Sequence, residues 1–135
     1  SFHEEGGYFG TSGGKEYVVH AKPGEEADPS KDPHASIDVF KAADISTLPN
    51  NLDATIEGTF HTHPDGTVTK TAGGGFNTIG GSETTTYSFD NPPSGSSGYG
   101  DIPNAQANTR GVRGNSYVLA QGNQTVYIYN GKGVQ

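Results

Sequence analysis

Glycine and proline, 21 and 8 of the 135 residues, interrupt this chain so often that its Val, Ile, Tyr and Phe survive only in short runs. Glycine is costly inside a helix or strand, and proline removes a backbone donor and fixes φ, so long regular elements are disfavoured. Short strands joined by turns are what such a pattern supports. Apolar residues make up 30% of the sequence, but they are grouped rather than scattered, which favours a folded, loop-rich domain with a small core over a disordered chain. One domain is expected from the length, spanning residues 1–135. Any site must then be assembled from one sheet and its loops.

The stretch FHEEGGYFG reads as a strand carrying Glu4 and Glu5, and GTSGG turns it into a second strand in KEYVVHAK; together they predict a hairpin. Residues 23–35 form a charged, Pro-rich loop, SIDVFKA alternates well enough for a strand or a short helix, with strand favoured, and LPNNLDATIEGTFHTHP is a turn followed by a strand. A long Gly/Ser/Thr-rich insertion covers 66–100, with a hairpin expected around GGGFNTIGG. GDIPNAQANTRG then predicts one short helix that opens at Asp101, tolerates Pro103 in its first turn and ends by Gly111. NSYVLAQGNQTVYIYNGKGVQ closes the chain as a hairpin through GNQ. About six strands and one helix make an α+β domain with a mixed, mostly antiparallel sheet and little helical cover.

Eight basic residues against 15 acidic ones give a net charge of -7, which argues against nucleic acid or an anionic membrane surface as partner and for a protein or neutral substrate. There is no cysteine. Disulfides and thiolate metal sites are therefore unavailable, the zinc deaminases are excluded, and any metal must be held by His, Asp or Glu. No stretch reads as a signal peptide or a membrane span. The chain begins at Ser1 and contains no methionine, so it is expected to be a piece of a longer protein.

Residues 59–66, TFHTHPDG, set two of the five histidines two positions apart. On a strand, residues i and i+2 share a face about 6.5 Å apart, so His61 and His63 can converge on one small object. Pro64, Asp65 and Gly66 would end the strand there in a turn. Paired histidines also occur as a polar rim without metal, so a third ligand decides between the readings. The His-x-His-x-Asp form of metallo-β-lactamase-type hydrolases needs a further histidine downstream, and none follows His63. Asp101, fixed at the mouth of the predicted helix, is the better third candidate; its blander role is an N-cap. His3, His20 and His34 read as solvated, Asp65 as a turn former, and Tyr8, Tyr127 and Tyr129 as sheet-packing residues.

Taken together, Glu4 with Gly7 in EEGGYFG, His61 and His63 in HTHPDG, and Asp101 in SGYGDIPNA resemble the motif of the JAMM (JAB/MPN) zinc metalloproteases and isopeptidases, in that family's order. The nearest flavour is the bacterial JAB-like, toxin-type domain at the C-terminal end of large secreted proteins, whose Tyr-rich closing hairpin resembles VYIYNGKGV; a secreted or extracellular setting is the expectation this carries. The resemblance implies a JAB/MPN-like fold and one Zn2+ per chain on His61, His63 and Asp101, with a fourth position left open for water. It implies Glu4 as the general base, with Glu5 a solvated acid on the opposite face. The family's Ser-x-x-Asp is altered, since Gly98 stands three before Asp101; Ser97, or Ser94 in NPPSG, is the candidate to support the oxyanion, with backbone N–H groups as the alternative. The implied activity is deubiquitinase-like hydrolysis of a peptide or isopeptide bond in a protein or peptide substrate. The competing expectations are a non-catalytic JAB/MPN-like binding module and an adhesin-like extracellular domain.

Overall fold

The pattern of β-branched and aromatic runs becomes, in a computed structural model that describes residues 2–26, 28–30, 37–65, 67–72, 83–94 and 100–135, an α+β fold dominated by one mixed sheet. β1 (Gly6–Ser12) and β2 (Lys15–His20) form the first hairpin. β3 (Thr55–His63) lies antiparallel to β1, and β4 (Thr67–Ala72) pairs with β5 (Glu83–Ser88) as a separate two-stranded sheet. The helix α1 (Asp101–Ala107) precedes β6 (Ser116–Ala120), β7 (Thr125–Asn130) and the short β8 (Gly133–Val134). The large sheet runs β2-β1-β3-β6-β7-β8. Its single parallel pair is β3 with β6, and a parallel pair demands a long crossover; the chain between them supplies β4, β5 and α1.

Register decides which side chains share the buried face, because directly paired residues point the same way. Val19, Tyr8, Thr59, Ser116 and Tyr129 stand side by side across five strands. The next row on the same face is Gly6, His61, Val118 and Tyr127, and the one beyond holds His63, Ala120 and Thr125. Both histidines of β3 therefore belong to the core face. Val118, Ala120 and Tyr129 are its buried centre, covered by Ile102 and Ala105 of α1. β1 can approach His61 this closely only because Gly6 has no side chain: a Cβ there would sit 2.3 Å from the Phe60 carbonyl oxygen and 2.8 Å from His61 Cβ. With one helix available, only one face is covered, and Val18, Leu119, Val126 and Ile128 remain exposed on the other.

Four sequence expectations are corrected. Glu4 and Glu5 precede β1 instead of lying in it, because the Glu5 N–H bonds the Thr62 hydroxyl and not a strand carbonyl. Residues 37–42 of SIDVFKA turn rather than extend, since the Asp38 carboxylate accepts the Phe40 N–H and the Asp38 carbonyl that of Lys41. α1 stops at Ala107, where Asn108 adopts a left-handed conformation with φ 44°, short of Gly111. The described residues contain eight strands against an expected tally of about six; β8 is an addition, whereas β4 and β5 pair on either side of GGGFNTIGG, where a hairpin is expected. GGGFNTIGG, His34 and Ser97 lie outside the described residues. No helix among the described residues is long and apolar enough to cross a membrane, which says nothing of a β-barrel.

Candidate metal centre

Strand alternation brings His61 and His63 to one face, and the chain then converges on them from two further directions. Their Nε2 atoms lie 3.2 Å apart. Asp101 reaches in from the first turn of α1, with Oδ1 3.2 Å from His61 Nε2 and Oδ2 3.2 Å from His63 Nε2. Glu4 approaches from before β1, its Oε1 3.9 Å from His61 Nε2. Glu4, His61 and His63 are all buried, and their ligand atoms lie within 4.8 Å of one another, so this group could hold a metal ion. The two histidine nitrogens, 3.2 Å apart, also match the edge of a zinc tetrahedron, about 3.3 Å for bonds of ~2.0–2.1 Å, and each oxygen of the Asp101 carboxylate reaches one of them. The donor set fits a zinc-like cation.

His63 and Asp101 are each held by a partner outside the cluster. His63 Nδ1 donates to the Asn91 carbonyl at 2.9 Å; a carbonyl can only accept, so in the neutral ring a metal would require, Nε2 carries the lone pair, whereas in the protonated, metal-free ring Nε2 donates to Asp101. Metal-binding histidines are oriented in this way. Asp101 is locked to Ser94 by reciprocal bonds: the Ser94 N–H donates to Asp101 Oδ2 and the Asp101 N–H donates to Ser94 Oγ, both at 2.9 Å. Gly100 makes room for that exchange, with φ 112° and a position at which a Cβ would lie 2.8 Å from Ser94 Oγ. Asp101 is thus the first helical residue and not the N-cap, a position Gly100 takes.

The threonine between the histidines has its own task. Thr62 Oγ1 accepts the Glu5 N–H at 3.0 Å, while the Thr62 N–H donates to the Glu5 carbonyl at 2.8 Å. Gripping Glu5 from both sides sets the adjacent Glu4 carboxyl beside the imidazoles. Glu5 itself turns away, 2.9 Å from His3 Nε2 and 3.7 Å from His20 Nε2. His3 and His20 are therefore not merely solvated. Asp65 is exposed.

The two carboxyls are driven in opposite directions. Burial pushes Glu4 up to about 8, the His63 imidazole opposing and the Asp101 charge adding to the rise. Burial acts on Asp101 in the same sense, but hydrogen bonds from His61 and His63, the His61 charge and the Ser94 N–H together hold it well below the usual carboxylate range. His63 is raised, because its bond to Asp101 and the charges of Glu4 and Asp101 outweigh a burial that would lower it. Tyr129 meets the edge of the His61 ring at a centroid distance of 6.3 Å, and its hydroxyl is pushed up by burial and by Asp101. From this cluster a cavity of about 1090 Å³ opens along the core face, floored by Thr59, Ser116 and Tyr129.

Sequence reasoning named Glu4, His61, His63 and Asp101, and the fold brings these four together. It ranked Ser94 behind Ser97, and Ser94 is the serine found on Asp101; the Asn91 carbonyl and Thr62 were not named at all. No protein-family model, curated protein or solved structure matches the chain.

Proposed function

We propose that the chain is a metal-dependent hydrolase, a zinc peptidase or isopeptidase of the JAMM (JAB/MPN) kind, with a protein or peptide as substrate. The observation that carries this reading is the 3.2 Å approach of the His61 and His63 Nε2 atoms, with one Asp101 oxygen 3.2 Å from each and Glu4 just outside. His61, His63 and Asp101 would hold the ion, since Asp101 is the carboxyl kept charged and it touches both rings. Zinc, when bound, supplies a Lewis acid that polarises a carbonyl and lowers the pKa of water. Glu4 is left with the proton: its carboxyl, poised near neutral pH by burial, can accept a proton from the attacking water and return it to the departing amine. Ser94 keeps its hydroxyl hydrogen free while its oxygen accepts from the Asp101 N–H, so it can donate towards an oxyanion at the cavity mouth.

The rival reading, a protein-binding module without catalysis, draws on the exposed apolar side chains of Val18, Leu119, Val126 and Ile128 behind the sheet. Metal content and turnover separate the two. Protein purified without added zinc should carry one equivalent of metal and cleave a peptide or isopeptide panel, and the His61→Ala protein should lose both. Full zinc occupancy in His61→Ala, or a metal-loaded parent inert on every substrate, would remove the hydrolase reading.

A further inference from the structure

We propose that the cavity beside the His61, His63 and Asp101 cluster receives an extended peptide segment carrying acidic side chains, recognised by Arg110, Arg113 and Lys132. The hydrolase reading supplies what happens to that segment; its binding is argued independently. On a chain of net charge -7, both arginines and one of the lysines line this one cavity. Beyond the cluster itself, the only acid among the described lining residues is Asp38, whose carboxylate already accepts the Phe40 N–H. A local excess of cations against an acidic background is charge complementarity for an anionic guest.

The cations arrive on two loops that are fixed in advance. Asn108 and Val112 exchange hydrogen bonds of 3.0 and 2.8 Å across the loop after α1, and the Arg113 N–H donates to the Ile56 carbonyl at 2.8 Å, docking that loop on β3. Lys132 sits in the β7–β8 turn, closed by its own N–H on Asn130 Oδ1 at 2.8 Å. The Arg110 guanidinium carbon lies over the Phe40 ring, 5.2 Å from its centroid, a cation–π contact that holds the side chain without using its N–H donors. The Arg113 pair with Glu57 is long, 3.8 Å, and the arginine is 65% exposed, so it exchanges readily for a better-placed carboxylate.

Geometry sets the distance from the reacting bond. Arg113 is anchored at Ile56, five residues from His61 on β3, which at ~3.3 Å per residue is about 16 Å. Allowing for arginine's reach, the preferred acid lies roughly three to five residues from the scissile bond of a peptide bound in extended form.

The test uses three fluorescein-labelled peptides of one neutral sequence that carry Glu, Gln or Lys at those positions, and zinc-loaded Glu4→Gln protein to prevent turnover. Anisotropy should rank Glu above Gln above Lys, with the Glu peptide weakening as salt rises from about 50 to 500 mM. Arg110→Gln/Arg113→Gln should weaken the Glu peptide ~5- to 20-fold, at ~2- to 5-fold per exposed pair, while Arg110→Lys/Arg113→Lys retains most of the preference. Equal affinity for all three peptides, binding of none, or a preference untouched in the double Gln protein overturns the proposal. Cleavage by the parent is scored separately. A hydrolase indifferent to acidic residues sinks this inference alone, whereas an acid-selective binder with no turnover sinks the hydrolase reading alone.

Discussion

Glu4 should make the metal-free protein less stable as the pH rises, and replacing it with Gln should remove that dependence. Its side chain is 5% exposed and its carboxyl is displaced from an ordinary value of 4.5 to about 8. Between those values the unfolded chain has released the proton and the folded chain still holds it. A carboxyl raised in the folded state contributes stability below its unfolded pKa and loses it as pH climbs through the folded one, at about 1.36 kcal/mol per unit. From pH 5 to pH 8 this amounts to about 3 kcal/mol. His63, also raised, acts in the same direction, while Asp101, lowered, contributes stability that is lost only as pH falls below the ordinary carboxylate value. Urea unfolding in EDTA, followed by circular dichroism at pH 5, 6.5 and 8, reads the slope. The parent should lose about 3 kcal/mol across the range and Glu4→Gln a third of that or less, with Glu5→Gln behaving like the parent. The slope is the readout, because a buried amide has its own desolvation cost. Equal slopes in the parent and Glu4→Gln would refute the claim that desolvation of this carboxyl sets its pKa. The same substitution should abolish hydrolysis, costing ~100-fold to 10,000-fold in rate at unchanged metal content.

Metal should leave as pH drops below about 6, because the imidazoles must be neutral to bind, and a chelator competition titration across pH 5–8 would reveal it. Ser94→Ala deletes the acceptor of the Asp101 N–H; with Asp101 no longer locked, zinc affinity should fall ~10- to 100-fold, and an unchanged dissociation constant would show that Ser94 does not position Asp101. Thr62→Val keeps shape but leaves the Glu5 N–H without its side-chain acceptor, so turnover should fall while zinc stoichiometry holds; loss of metal instead would mean that Thr62 supports the ligands and not Glu4.

What the sequence made legible was local. That His61 and His63 share a face follows from strand alternation alone, and the start of α1 at Asp101 follows from Pro103 and the Gly/Ser loop before it. The strand expected at SIDVFKA failed for a local reason too, since Asp38 could be seen to compete for the following N–H groups. The supports of the site were out of reach for a different reason. Thr62 meets Glu5 across 57 positions and Asn91 meets His63 across 28, and neither threonine nor a backbone carbonyl advertises a partner so distant. The 66–100 insertion was legible as a long Gly/Ser/Thr-rich segment between ligand candidates, but not as the support its described end provides through Asn91 and Ser94, which hold a ring and a carboxylate in place.

The roles of the two carboxyls are where sequence and structure divide the argument between them. Glu and Asp have ordinary pKa values less than one unit apart, 4.5 and 3.8, so nothing in their chemistry makes one a ligand and the other a base. The Ser94 N–H and the two imidazoles surround Asp101 with donors, which keeps it charged and suited to an ion. Glu4 is buried at the edge of the same cluster, 3.9 Å from the nearest imidazole nitrogen, and burial pushes its carboxyl up to about 8, where it can exchange a proton near neutral pH. On the proposed hydrolase reading, exchanging the two side chains' surroundings would exchange their roles, because the division of labour lies in what each oxygen touches. Thr62 enforces that division, gripping Glu5 so that the neighbouring carboxyl arrives close to the imidazoles without acquiring the donors that hold Asp101 charged.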